Sequence, residues 1–484
     1  MNARCEKPLT SFMRFFVLTP PFFPCRWVHR TAIRRRGAHV KRIVIIGFGS
    51  AGYAAFTAAR KTDPKAAITV IDPKARDLMH PCGLPYALEG RADPARLEQD
   101  VHLDKAGVIR IRARATRIDA DAKRIITDAG DTEGGVPYDA AIICTGSAPV
   151  LPPVPGIERL RNRGLYTLAT MDDCNRIMER IEGASDCLII GAGAIGLECA
   201  VALRARGRAV HLAEMRDQVL PGVIDADLAA PVAEHLTLRG IAFHLGAAVG
   251  EVLGEDAFAG ARIGDSRITA SLCIAATGFA PHTELARESG IECGPRGIVV
   301  DDSLRTALPD VYAAGDCIVA WSVIDKKPVG AKLATSAYKQ GTVAGANAAG
   351  GAMTYAGTAG AFVTVLGDLE IAGAGYTTEA ARAAGYEPVS GKISAPVLPD
   401  YIPDGHAITV KILADRATGR LLGAQAVGPA GAAARINVAS AAIEFGKTLD
   451  DLERVELAYC PAVSEVHDPL LRAADFARRR MPKR

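Results

Sequence analysis

Two glycine-rich turns, each set between an apolar strand and an Ala-rich helix, and a change of pattern after Met353 predict an α/β chain. The prediction is two Rossmann-like dinucleotide-binding domains followed by an α+β C-terminal domain. The 484 residues suffice for two to four domains with sizeable cores. Their 49% hydrophobic and 23% charged content places the chain among ordinary globular proteins.

The first turn follows Arg42-Ile-Val-Ile-Ile46, a short apolar run of the kind buried in parallel sheets. Gly47-Phe-Gly49-Ser-Ala-Gly52 then opens a helix running to Arg60. In such a GxGxxG turn the first glycine permits the bend and the second lets a pyrophosphate approach the backbone. The third lets the helix pack on the strand. Free N–H groups and the partial positive charge at the helix start favour an anion. A second strand, Ile68 to Asp72, ends in an acid 20 residues beyond Gly52, placed for a ribose hydroxyl. Residues 184–214 repeat the pattern: strand Cys187-Leu-Ile-Ile, turn Gly191-Ala-Gly193-Ala-Ile195-Gly196, helix Leu197 to Arg206, and strand Ala209 to Glu214. Gly47 and Gly191 are 144 residues apart, so two dinucleotides are expected. The Glu214 carboxylate favours the free 2′-hydroxyl of NAD, and nearby Arg216 keeps NADP open.

Between the turns lie Thr145-Gly146 and a Pro-rich crossing from Pro149 to Gly156. Thr277-Gly278 closes the second unit, and Val311-Tyr-Ala-Ala-Gly315-Asp316 puts a carboxylate after an apolar strand. Gly330 to Gly351 reads as a small-residue helix packed against that site. From Met353 the runs Phe362–Leu366, Ile371–Gly373, His406–Leu413 and Leu421–Val427 suggest an antiparallel sheet, followed by a helix from Ala432 to Phe445. The boundaries are an extension at 1–40, a first nucleotide domain at 41–155 and 283–351, a second at 156–282, and the C-terminal domain at 352–484.

Net charge is +3, and the basic excess is terminal: seven Arg or Lys in 26–42 and six in 472–484. The body is close to neutral or slightly acidic, which gives no case for nucleic-acid binding. The extension is apolar but broken by prolines, and no run reaches membrane-span length. An early start codon, with Val40 the true beginning, fits it better than a targeting segment. The 11 cysteines are odd in number and lack CxxC spacing, which removes support for zinc and predicts a reduced, cytoplasmic protein.

Met79-His-Pro-Cys82-Gly-Leu-Pro-Tyr86 places one cysteine among Pro and Gly after the first βαβ unit. Taken alone, Cys82 is either an inert thiol in a turn or a thiolate held near an electron-poor ring, its pKa lowered and ready to attack sulfur.

The order GxGxxG, single-Cys turn, TG, GxGxxG, TG, AxGD, then an α+β region resembles the FAD-dependent pyridine nucleotide–disulfide oxidoreductases over roughly residues 41–475. The Cys82 motif is similar to their single-cysteine branch of coenzyme A disulfide reductases, NADH oxidases and persulfide reductases. The resemblance implies FAD at Gly47, Gly49, Gly52, Asp72, Thr145, Gly146, Gly315 and Asp316. It implies NADH, with NADPH possible, at Gly191, Gly193, Ile195, Gly196, Glu198, Glu214 and Gly278. Cys82 becomes the redox thiol, Arg60 a contact for coenzyme A phosphate or else an exposed helix-end cation, and the C-terminal region a homodimer interface. Ser50 stands where peroxidase members carry His. Cys460 stands where dithiol members carry a catalytic His, and Tyr459 matches a tyrosine near the thiol. Cys460 could face Cys82 of a second copy as a dithiol in trans, or simply fill space. The implied activity is NAD(P)H-driven reduction of a small disulfide, persulfide or polysulfide. Oxygen reduction through a sulfenic acid and an electron-transfer flavoprotein subunit stand as alternatives.

Overall fold

The computed structural model describes residues 39–129, 134–330, 332–403 and 405–482. The predicted extension, apart from its last two residues, lies outside them. Three five-stranded sheets organise the body from Val40 onward. The first is wholly parallel, in the order Val311–Ala313, Ala140–Ile143, Arg42–Ile46, Ala67–Ile71, Ile109–Ile111. Ile43, Val44, Ile45 and Ile46 are buried, as a strand covered on both faces requires. The second, also parallel, runs Leu165–Tyr166, Leu272–Ala275, Asp186–Ile190, Ala209–Glu214, Ile241–Leu245. In each, a glycine turn leaves a central strand beside the strand that ends in Thr-Gly. That crevice at the carboxyl ends is where open α/β sheets bind ligands.

Each nucleotide unit also carries a three-stranded antiparallel meander, Ala115–Pro137 in the first and Val249–Thr269 in the second. Sequence reasoning overlooked both, because their strands are only two to five residues long and partly exposed. Two crossings join the units through the antiparallel pair Ser147–Pro149 and Phe279–Pro281.

The C-terminal sheet is antiparallel throughout, in the order Phe362–Leu366, Leu369–Gly375, Leu421–Gly428, Ala407–Asp415, Pro388–Pro396. The last, an edge strand, was missed: it is bounded by prolines and interrupted by Ser, Gly and Lys, the composition with which edges avoid further pairing. Gly391 within it lets the Pro469–Arg478 helix approach, since a Cβ there would lie 2.0 Å from the Ala473 carbonyl oxygen.

The small-residue helix is Ala334–Ala348, and it packs on the Ser50–Thr62 helix. Gly341 and Gly345 make the close approach: a Cβ on either would stand 2.1 Å from a backbone oxygen, of Ala51 or Ala55. No helix among the described residues is long and apolar enough to cross a membrane.

Candidate active site

The two glycine turns have the same geometry. Gly47 has φ +91°, and a Cβ there would lie 2.3 Å from the Cys144 oxygen; Gly191 has φ +103°, with the Ala276 oxygen at 2.5 Å. Gly52 and Gly196 face the oxygens of Gly47 and Gly191 at 2.2 and 2.0 Å. The middle glycines differ: a Cβ on Gly49 or Gly193 would meet nothing within 4 Å. The backbone at the end of the neighbouring strand therefore demands the first, close approach of the helix to its turn demands the third, and the second borders open space. Gly49 and Gly193 cap their helices without a side-chain hydrogen bond, so the first helical N–H groups keep their capacity for a phosphate. These residues fit the pyrophosphates of two dinucleotides.

The strand-end acids are buried and bonded to their own turns. Asp72 accepts from the Phe48 N–H at 2.6 Å, and Glu214 from the Ala192 N–H at 2.8 Å. Lys74 and Arg216 N–H groups bind the same two carboxylates at 2.8 and 2.9 Å. Each carboxylate is thereby fixed in orientation with acceptor capacity remaining for ribose hydroxyls. Ile195 lies in the first turn of the Ala194–Ala205 helix, three residues before Glu198.

The two Thr-Gly motifs build the crossing between units. Thr145 Oγ1 donates to the His282 carbonyl at 3.0 Å, and the Thr277 hydroxyl donates to the Val150 carbonyl. The N–H groups of His282 and Val150 return bonds of 3.0 Å to the carbonyls of Gly146 and Gly278. Gly315, at φ +88°, sits against Ala51 of the first helix, its N–H bonded to Gln340 Oε1 at 2.9 Å. Asp316 follows, and Ser147 Oγ donates to its carboxylate at 3.0 Å. Burial pushes the Asp316 carboxyl up, partly offset by that bond and by Lys332. Lys332 Nζ donates to the Asp316 backbone carbonyl at 3.0 Å, and burial holds this ammonium below its usual range. Sequence reasoning passed over Lys332, although it is an isolated charge in a Gly- and Ala-rich run.

Cys82 lies in a single tight turn, Pro81–Gly83, that feeds the Leu84–Glu89 helix; Gly90 ends the helix in the left-handed region at φ 90°. Its side chain is exposed. The helix buries Leu84, Pro85, Ala87 and Leu88 and packs on the Ala194–Ala205 helix of the second nucleotide unit. Cys82 thus stands between units, close enough to feel Glu198 from one and Asp316 from the other. Partial desolvation pushes its thiol up, and the two carboxyls push further; only its own backbone N–H opposes them. The expected lowering belongs to a thiolate beside an electron-poor ring; the polypeptide's own charges near Cys82 are negative and act against it.

Arg60 is half-buried, not an exposed cation. Its guanidinium donates to the carbonyls of Pro64, Ala66 and Ala106 at 3.0, 2.9 and 3.3 Å, tying the helix end to two loops. Tyr459 and Cys460 lie on an exposed stretch before the Pro469–Arg478 helix, and the chain does not bring them into hydrogen-bond contact with Cys82. Tyr459 shares a 3.2 Å hydrogen bond with the hydroxyl of Tyr401, which pushes its phenol up to about 12. Tyr401 was not singled out from the sequence, for it sits in an irregular Pro- and Asp-rich loop.

Residues 41–341 match the family model described as pyridine nucleotide-disulphide oxidoreductase, and residues 362–470 match that family's dimerisation domain. An NADH oxidase of Methanocaldococcus jannaschii is 32% identical over 91% of this chain and 99% of its own length. An NAD(P)H coenzyme A polysulfide/persulfide reductase of Pyrococcus horikoshii is 32% identical over 89% of this chain and 97% of its own. The structure of an NAD-dependent persulfide reductase from A. fulgidus superposes with a TM-score of 0.86 at 31% identity, covering 90% of this chain and 83% of that one. With two nucleotide cradles, one cysteine at their junction and these matches, the chain belongs to the pyridine nucleotide-disulphide oxidoreductase family.

Proposed function

We propose that the protein uses NAD(P)H to reduce a small disulfide, persulfide or polysulfide, coenzyme A disulfide among them, through Cys82. The observation that carries this reading is the exposed Cys82 thiol between Glu198 of one nucleotide unit and Asp316 of the other. FAD belongs to the cradle of Gly47, Gly49, Gly52, Asp72, Thr145, Gly146, Gly315 and Asp316. The nicotinamide nucleotide belongs to that of Gly191, Gly193, Ile195, Gly196, Glu198, Glu214 and Gly278. The buried Glu214 carboxylate favours NADH. Bound FAD supplies a relay for the two electrons of a hydride taken from NAD(P)H.

The chain's own step is nucleophilic. The Cys82 thiolate attacks R–S–S–R, a Cys82–S–S–R bond forms as the substrate S–S bond breaks, and RS⁻ leaves to take a proton. Two electrons and one proton then cleave the mixed disulfide to Cys82–S⁻ and RSH. A homodimer, supported by the dimerisation-domain match, carries the loop of Tyr459 and Cys460 to the active site of a second copy. The nine described cysteines are all free, which supports a reducing, cytoplasmic setting. Arg60 meets the phosphates of a coenzyme A substrate only through donors left over from its three carbonyl bonds.

The second reading, an NADH oxidase, is favoured by the similarity to the M. jannaschii protein. Anaerobic NADH consumption with polysulfide or coenzyme A disulfide, set against consumption in air, decides between them. Sulfur turnover is expected to exceed oxygen turnover by about tenfold or more, a difference of about 1.4 kcal/mol in barrier. Faster turnover in air makes the protein an oxidase.

A further inference from the structure

We propose that Lys332 is the cation set beside bound FAD to meet the negative charge that the flavin gains on reduction. The proposal rests on the cradle of Gly315 and Asp316 holding FAD. Lys332 Nζ donates to the Asp316 carbonyl at 3.0 Å, its one hydrogen bond among the described residues. Two of the three ammonium donors are therefore uncommitted. The lysines near it in sequence are neutralised: Lys326, Lys327 and Lys339 have the carboxylates of Asp302, Asp325 and Glu444 at 3.7, 3.8 and 3.2 Å. Lys332 is half-buried, yet no carboxylate among the described residues comes within ion-pair reach of it. A cation removed from water without a partner is destabilised, and burial holds this ammonium below its usual range.

A second source of positive charge lies at the same corner. Leu333 caps the Ala334–Ala348 helix without a side-chain hydrogen bond, and the first turn of that helix holds no acid. Its partial positive charge is thus unmatched as well. The helix is tied to the cradle, since its Gln340 Oε1 accepts from the Gly315 N–H at 2.9 Å.

The cradle has two ends, and Lys332 belongs to the one nearer the second nucleotide unit. At the far end Asp72 is bonded to the Phe48 N–H of the glycine turn and already has a cation, Lys74 Nζ at 2.8 Å. At the near end Asp316 accepts from Ser147, the first residue of the strand pair that crosses to the second unit. A hydride taken from the second nucleotide arrives at this end. It brings two electrons and one proton, a net single negative charge, and a fixed cation nearby lowers the energy of holding that charge. Lys332 gives up no proton and forms no bond in this role; its part is electrostatic.

The test is the midpoint potential of bound FAD, measured by anaerobic reductive titration against a dye of known potential. Every protein carries Cys82→Ser, so no Cys82 disulfide takes up electrons, and no sulfur substrate is present. Lys332→Gln removes the charge but keeps an N–H donor for the Asp316 carbonyl; Lys332→Met removes both. Each is expected to shift the two-electron equilibrium about tenfold toward oxidised FAD, a potential lower by about 30 mV. Lys332→Arg is expected to keep the parent value. A shift below about threefold, about 14 mV, in Lys332→Gln overturns the proposal. It does so even where Lys332→Met shifts, because the bond to Asp316 would then be the cause. If Lys332→Gln loses FAD, Lys332→Met decides by the same threshold. Loss of FAD from both also overturns the proposal, for Lys332 would then hold the oxidised cofactor rather than serve its reduction. The titration bypasses Cys82, so its outcome is separate from that of the reductase reading, which turnover judges.

Discussion

Cys82→Ser is expected to reduce turnover with disulfide, persulfide or polysulfide by about 10³-fold or more, while NADH still reduces the bound flavin at close to the wild-type rate. A serine hydroxyl neither ionises near neutral pH nor forms a bond to sulfur that two electrons can reverse, so the loss falls on kcat. Binding of both dinucleotides should persist, because Cys82 is exposed and lies outside both glycine turns. Stopped-flow reduction and steady-state turnover of the same preparation separate the two half-reactions. A serine variant keeping more than about a tenth of sulfur turnover would place the chemistry elsewhere and end the reductase account.

The second large effect is structural. Gly341→Ala should gain about 1 kcal/mol of helix propensity on its exposed-helix scale. Here the added Cβ would stand 2.1 Å from the Ala51 oxygen and 2.8 Å from its carbonyl carbon, both backbone atoms of the helix that follows the first glycine turn. No rotamer change relieves a clash with backbone, so the two helices must separate, at a cost above the ~1–3 kcal/mol of ordinary overpacking. The expected result is a net loss of more than about 2 kcal/mol, a lowered Tm and preparations that lose FAD. Gly183→Ala, where a Cβ meets nothing within 4 Å, serves as the control and should stay within about 0.5 kcal/mol of wild type. Wild-type Tm and flavin content in Gly341→Ala would show that the close approach of these helices is not needed to build the cradle.

The parts of the fold that were readable are those where one physical requirement dictates residue type over several positions. A glycine that must bend at positive φ, one that must face a helix and one that must leave room for phosphate together make a pattern without a common alternative, and both turns stand where it put them. Strands buried on both faces, such as Arg42–Ile46, announce themselves as apolar runs. The Pro388–Pro396 edge strand and the two meanders do not, since their outer faces are solvated and their pairing depends on distant neighbours.

The candidate site divides the same way. Cys82 was visible from its Pro and Gly neighbours, and Glu198 only through the family resemblance. That the helix after Cys82 packs on the helix carrying Glu198 joins segments more than a hundred residues apart, which no local pattern encodes. The upward push of the polypeptide on the thiol was illegible for the same reason: Glu198 and Asp316 are remote in sequence and converge only in the fold. Lys332, Thr364 and Tyr401 gain significance solely from their contacts, at 3.0, 2.7 and 3.2 Å, with residues already singled out.

The central claim is that Cys82 takes the substrate sulfur covalently. Its most direct test is to reduce the enzyme anaerobically, mix it with one equivalent of coenzyme A disulfide without further NADH, quench in acid and map the cysteine peptides by mass. A coenzyme A mixed disulfide is expected on Cys82, discharged when NADH is added and absent from the serine variant. An adduct on Cys460 alone, or sulfur turnover with no adduct on Cys82, would contradict it.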